Sequence, residues 1–124
     1  MKFDQFKNKD VILKGYSALE YAGYCNQELI EVYSLSEIEG CDCCIVDNFD
    51  NIDYTIEDGL KVSSIPQAIN DRLKVNSSYD DDALPLVLTN YFSKHGSFKG
   101  MNTNPEYADT FRYYEGWAIC EYKG

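Results

Sequence analysis

The sequence predicts an α+β domain, a small, mostly antiparallel sheet from the N-terminal half with the helices of the C-terminal half packed on one of its faces. Three observations lead there. Residues Leu29–Leu35 alternate, with Ile30, Val32 and Ser34 on one side and Glu31, Tyr33 and Leu35 on the other, the period of a strand. Tyr54-Thr55-Ile56 and Leu60-Lys61-Val62 flank Asp58-Gly59, and an Asp-Gly pair supplies the positive φ angles of a tight hairpin turn. After Ser64 the apolar period changes to that of helices, and a β-rich half followed by a helical half favours a sheet covered by helices.

The elements follow in order. Phe3 and Phe6 are apolar anchors in a polar opening segment, and Val11-Ile12-Leu13 reads as a short strand. Ser17 with Glu20 three residues on has the spacing of a capping box, which predicts a helix over Ala18–Ala22 stopping at Gly23. Cys43–Val46 is a second apolar strand candidate. Ser64 caps a helix with Pro66 in its first turn and Ile65, Ile69 and Leu73 on one stripe. A second helix follows Asp80-Asp81-Asp82, with Leu84, Leu88, Tyr91, Phe92 and His95 on one face and Gly96 at its end. Pro85 fits only in the first turn. Asn104-Pro105 opens a third, carrying Tyr107, Phe111, Tyr114 and Ala118 on one face, with Gly116 as a weak point where it is expected to bend or stop.

The 124 residues suit one domain, expected to span 1–124, and the 44% hydrophobic content is that of a globular chain. No apolar run approaches the ~20 residues that span a bilayer, and the opening MKFDQFKNKD has no apolar signal core, so a cytoplasmic location is expected. Five Cys, an odd number, argue for free thiols rather than a disulfide framework.

The net charge is −10, and between Lys14 and Lys61 there is no Lys or Arg but eleven acids. Binding to a phosphate backbone needs clustered cations, so direct contact with nucleic acid or an anionic membrane is not expected, whereas a basic protein partner fits. Asp47, Asp50, Asp53, Glu57 and Asp58 are candidate contacts to such a partner. So are Tyr113, Tyr114 and Trp117, because Tyr and Trp favour interfaces.

No catalytic or metal centre is expected, and no cofactor. Cys41-x-Cys43 is too tight for a structural zinc pair and Cys44 faces the other way on a strand, so buried small hydrophobes are the simpler reading. His95 is the single histidine and sits at a helix end, where the dipole favours a cation. Asp80-Asp81-Asp82 lacks the spaced oxygens and glycine of a calcium loop and suits a helix N-terminus instead.

Two stretches carry a family likeness. Ile12-Leu13-Lys14-Gly15-Tyr16-Ser17-Ala18-Leu19-Glu20-Tyr21-Ala22-Gly23-Tyr24 resembles the opening of the C-terminal domain of AbiEi-type abortive-infection antitoxins, and Leu60–Leu73, with Ala68-Ile69-Asn70-Asp71, resembles that family's later strand and capped helix. The resemblance implies a non-catalytic, antitoxin-like or phage-defence regulatory domain acting on a nucleotidyltransferase-like toxin or another protein. The family's N-terminal winged helix has no room in these 124 residues, which removes the expectation of self-repression. A second reading is an acidic DNA-mimic inhibitor of a nucleic-acid-binding protein, which requires the acids of 28–58 to form a double row. A third notes that Gly15-Tyr16-Ser17 followed by Glu31-Val32-Tyr33 mimics the order of a nucleotidyltransferase metal site. There Tyr33 stands where the second carboxylate is needed.

Overall fold

A computed structural model describes residues 2–75 and 83–123. The chain opens with a 3-10 turn at Asp4–Phe6, whose Phe6 is buried together with Phe3. β1 (Val11–Leu13) runs directly into α1 (Gly15–Tyr21). Then come β2 (Ile30–Ser34), β3 (Cys41–Ile45), and the hairpin β4 (Tyr54–Glu57) and β5 (Leu60–Ser63). α2 (Ile65–Val75), α3 (Ala83–His95), a 3-10 turn at Pro105–Tyr107 and α4 (Ala108–Lys123) complete it. Asp80-Asp81-Asp82 lie outside the described residues.

The five strands form one sheet in the order β3-β2-β1-β5-β4. It is mixed rather than mostly antiparallel, a correction to the expectation. β1–β2 and β4–β5 are antiparallel, but β2–β3 and β1–β5 are parallel. The local hairpin around Asp58-Gly59 forms as expected, with φ 52° and 82° at those residues. Which strand lies beside β1 is a long-range choice, and the hairpin inserts with β5 running in the direction of β1.

The register divides the sheet into two faces. Val11, Leu13, Val32, Leu60 and Val62 share one, and all join a single apolar core with Leu19 of α1, Ile69 and Leu73 of α2, Leu84 and Leu88 of α3, and Phe111 and Tyr114 of α4. Burying a Leu-sized side chain contributes roughly 2 kcal/mol, so this shared core is the main source of stability.

Several expected signals behave differently from their local reading. Ser17 does not cap α1, because the helix begins two residues earlier, after Lys14. Its hydroxyl instead accepts from the Glu31 amide at 2.8 Å. Glu20 serves the neighbouring loop, accepting from the Gln27 amide at 2.8 Å and pairing with Lys2 at 3.0 Å. Ser64 does cap α2, its hydroxyl accepting from the Gln67 amide at 3.2 Å. Gly116 does not end α4, which continues to Lys123. The Asn104 side chain caps the 3-10 turn before α4, accepting from the Glu106 amide at 2.9 Å.

Candidate functional site

β3 and β4 occupy opposite edges of the sheet, yet residues 46–53 connect them directly. β3 ends where Ile45 pairs with Ser34, level with Val11. β4 begins where Tyr54 pairs with Ser63, past the level of Leu13. The connection therefore crosses the sheet from one edge and one end to the other. Four strand spacings are ~19 Å, within the ~26 Å that eight extended residues can span.

Side-chain contacts show which face it crosses. Tyr33, on the face opposite the core, lines a cavity of about 410 Å³ with Ile45, Val46, Asn51 and Ile52. Phe49 meets Tyr54, a residue of that same face, edge to face at 6.4 Å. Ile12, also on that face, is 0% exposed although it is not part of the main core. The connection thus forms a cover over this side of the sheet, and Asp47, Asp50 and Asp53 are exposed along it.

A buried polar cluster anchors the cover. The Tyr33 hydroxyl donates to Asp71 of α2 at 2.7 Å, and Gln67, one turn earlier, donates to the same carboxylate oxygen at 3.1 Å. The Gln67 carbonyl oxygen accepts from the Asp53 amide at 3.2 Å, and the Asp53 carbonyl accepts from the Ser64 amide at 2.9 Å. One residue of the connection is thereby held from both sides while its carboxylate stays outside. Burial pushes the Asp71 carboxyl above the usual carboxylate range, opposed by the bonds from Tyr33 and Gln67 and the charges of Lys14 and Lys74. Burial, reinforced by Asp71, drives the Tyr33 phenol far above its ordinary value, so it remains a hydrogen-bond donor.

A second cluster ties β2 to both helices at the sheet's end. Glu31, on the Tyr33 face, is 4% exposed. One carboxylate oxygen accepts from the Tyr16 amide at 2.9 Å and the other from Arg72 at 2.7 Å. The Arg72 guanidinium lies over the Tyr16 ring at 4.2 Å. Gly15, at φ +52°, lets these side chains approach the start of α1. Each oxygen of Glu31 thus accepts a hydrogen bond from a protein partner.

The candidate contacts separate into different regions. Asp47, Asp50 and Asp53 share the cover. Glu57 and Asp58 sit at the β4–β5 turn, where Asp58 pairs with Lys7 at 3.1 Å. Tyr113 and Trp117 are exposed on α4, but Tyr114 is 0% exposed within the core. Tyr114 is therefore corrected from contact residue to core residue: on α4 its position falls on the stripe of Phe111 and Ala118. The Trp117 indole donates to Glu121 at 3.3 Å beside a shallow depression with Pro85 and Leu86.

The acids of 28–58 do not form one double row. Glu31 is buried and paired, and Asp42 and Glu57 stand on opposite edges and opposite faces of the sheet.

The cysteines are free thiols. Cys41 and Cys43 pack against the core side and Cys44 is exposed on the other, as strand alternation requires. Burial raises the Cys41 thiol, which keeps it protonated. Among the described residues no group of three or more His, Cys, Asp or Glu comes together to hold a metal ion, and no helix is long and apolar enough to cross a membrane. His95 lies in the last turn of α3, its ring against Tyr91 at 4.2 Å and its Nε2 2.9 Å from the Tyr24 hydroxyl.

Sequence reasoning missed the roles of Gln67, Asp71 and Arg72, and took Glu31 and Tyr33 only as a metal-site order rather than as buried polar anchors. The one available signal was a Glu in a strand whose other face is apolar, paired with a distant Arg in a chain containing only two. No protein-family model, curated protein or solved structure matches the chain.

Proposed function

We propose that this chain is a non-catalytic protein-binding domain that presents the acidic cover 46–53 to a basic surface of another protein. The observation that carries this reading is the pairing of Asp47, Asp50 and Asp53, exposed and without ion-pair partners among the described residues, with the buried Tyr33–Asp71–Gln67 cluster that holds the segment carrying them. Charges on a pre-ordered backbone bind with less ordering cost than charges on a flexible tail, and they speed encounter with an opposite charge. The same reading takes the apolar stripes of the helices as packed on the core face of the sheet, with α2 reaching the opposite face through Gln67, Asp71 and Arg72.

The resemblance of Ile12–Tyr24 and Leu60–Leu73 to AbiEi-type antitoxins supports a defence-system role, with a nucleotidyltransferase-like toxin as the partner. Asp71 falls in those stretches and joins the cluster that anchors the cover, and Gly15, Ser17 and Arg72 fall there too and surround Glu31 at the sheet's end. The test is to look beside this gene for one encoding a nucleotidyltransferase-like protein and to co-express the two. Wild type should relieve growth arrest and co-purify. A variant with Asp47, Asp50 and Asp53 all changed to Lys should fold normally and do neither. A wild type that neither binds nor relieves arrest would refute the toxin assignment, and a triple variant that works as well as wild type would refute the acidic surface.

A further inference from the structure

The connection over 46–53 leaves β4 at the sheet edge, hydrogen-bonded to β5 along one side only. Glu57 pairs with Leu60 across the two-residue turn, so Glu57 and Thr55 direct their backbone groups to β5, while Tyr54 and Ile56 direct theirs outward. An outward row of N–H and C=O groups is a template for another strand. This edge carries no Lys and no Pro, and the Ile56 side chain is 65% exposed on it.

Beside the edge, on the core side of the sheet, runs a groove of about 340 Å³ between α1 and β4. Its apolar lining is Ala18, Ala22, Val62 and Ile65, and Tyr21, Thr55, Glu57, Ser63 and Ser64 add polar groups. Glu57 is its only charged residue, and it has no ion-pair partner among the described residues. A part-apolar groove whose lining holds one carboxylate matches a side chain with an aliphatic stem and a cationic tip. At the other edge, β3, the segment before the strand folds back over its core side, the Ile38 amide donating to Cys43 Sγ at 3.3 Å.

We propose that the β4 edge takes an extended segment of a basic protein as an added strand, with one Lys or Arg of that segment laid in the α1–β4 groove against Glu57. The inference rests on the reading of this chain as a binder of a basic protein and adds the mode of recognition. Main-chain bonds to Tyr54 and Ile56 supply the affinity of strand addition, and the groove supplies the choice of side chain. A strand spaced ~4.8 Å beyond β4 places its core-side residues within reach of the groove.

The test uses the intact chain and blocked heptapeptides of alternating Thr and Val with Lys, norleucine or Glu at the centre, followed by backbone amide NMR. The Lys peptide should shift the amides of Tyr54 and Ile56 together with those of Tyr21 and Ala22. Glu57→Gln should weaken the Lys peptide by about threefold, the scale of an exposed ion pair, and leave the norleucine peptide unchanged. Ile56→Pro, which removes an outward N–H, should abolish binding. Thr55→Arg should block the groove with a resident cation if the proline variant fails to fold. Lys and Glu peptides binding alike, or no shifts along β4, would overturn the proposal. Shifts confined to 46–53 would overturn it while leaving the acidic-cover reading intact, since that reading is judged separately by the co-expression assay.

Discussion

Arg72 and Glu31, 41 positions apart, form a 2.7 Å ion pair that joins α2 to β2 and receives the start of α1 through the Tyr16 amide. Both side chains are largely buried, 14% and 5% exposed. Removing one partner leaves the other charge without compensation in a poorly solvated site. Glu31→Met should therefore destabilise the fold by ~3 kcal/mol, whereas Glu31→Met combined with Arg72→Met should lose less than the sum of the two single changes. Urea unfolding of the four proteins measures the coupling, and strictly additive losses would contradict it.

Gly15 lies under that pair at φ +52°, and a Cβ there would stand 3.0 Å from Arg72 Cδ and 3.0 Å from Glu31 Oε2. Gly15→Ala should cost ~2 kcal/mol from the left-handed backbone and the displaced side chains. Gly116→Ala is the internal contrast. It sits in α4 with nothing within 4 Å of its added Cβ, and should stabilise by ~0.5–1 kcal/mol. Thermal melts of the two variants should move in opposite directions.

Asp71 gives a pH dependence of defined sign. Its carboxyl is raised above the ordinary value by burial, so the folded protein holds that proton more tightly than the unfolded chain. The stabilising contribution is complete below the unfolded value of ~3.9 and is lost as pH rises through the folded value. Asp71→Asn removes the titration. Its stability relative to wild type should therefore improve as pH rises from about 3 to about 7, and urea midpoints of both proteins across that range would show a flat difference if the burial effect were absent.

Tyr114 and its neighbours separate packing from surface. Tyr114→Ala should cost ~3–5 kcal/mol, the range for a large aromatic removed from a core. Tyr113→Ala, at a residue 52% exposed, should stay within about 1 kcal/mol. Equal losses at the two positions would contradict the orientation of α4.

The triple change of Asp47, Asp50 and Asp53 to Lys should leave the melting temperature nearly unchanged. Asp53 serves the fold through its backbone N–H and carbonyl, and those bonds survive the substitution. A large loss of stability would mean that the carboxylates themselves hold the cover.

Much of the local structure was legible in the residues alone. The alternation of Ile30–Ser34, the Asp58-Gly59 turn, the Ser64 cap and the stripe of Ile69 and Leu73 are short-range signals, set by backbone sterics and by the period at which apolar side chains recur. Even the split of Cys41 and Cys43 from Cys44 follows from alternation. Ser17 shows the limit: its capping spacing was real, but the hydroxyl had a better use for the Glu31 amide on a strand 14 residues away.

By itself, then, the sequence determined an acidic chain with one mixed α and β complement, a hairpin, three amphipathic helices after residue 64 and a cation-free stretch before it. Tertiary structure alone decided the strand order, the parallel pairing of β5 with β1, the diagonal path of 46–53, and the meeting of Tyr33 with Asp71 and of Glu31 with Arg72. The physical reason is that dihedral preferences and hydrophobic periods act over a few residues. Strand neighbours and buried polar partners are chosen by which global packing satisfies every buried group at once.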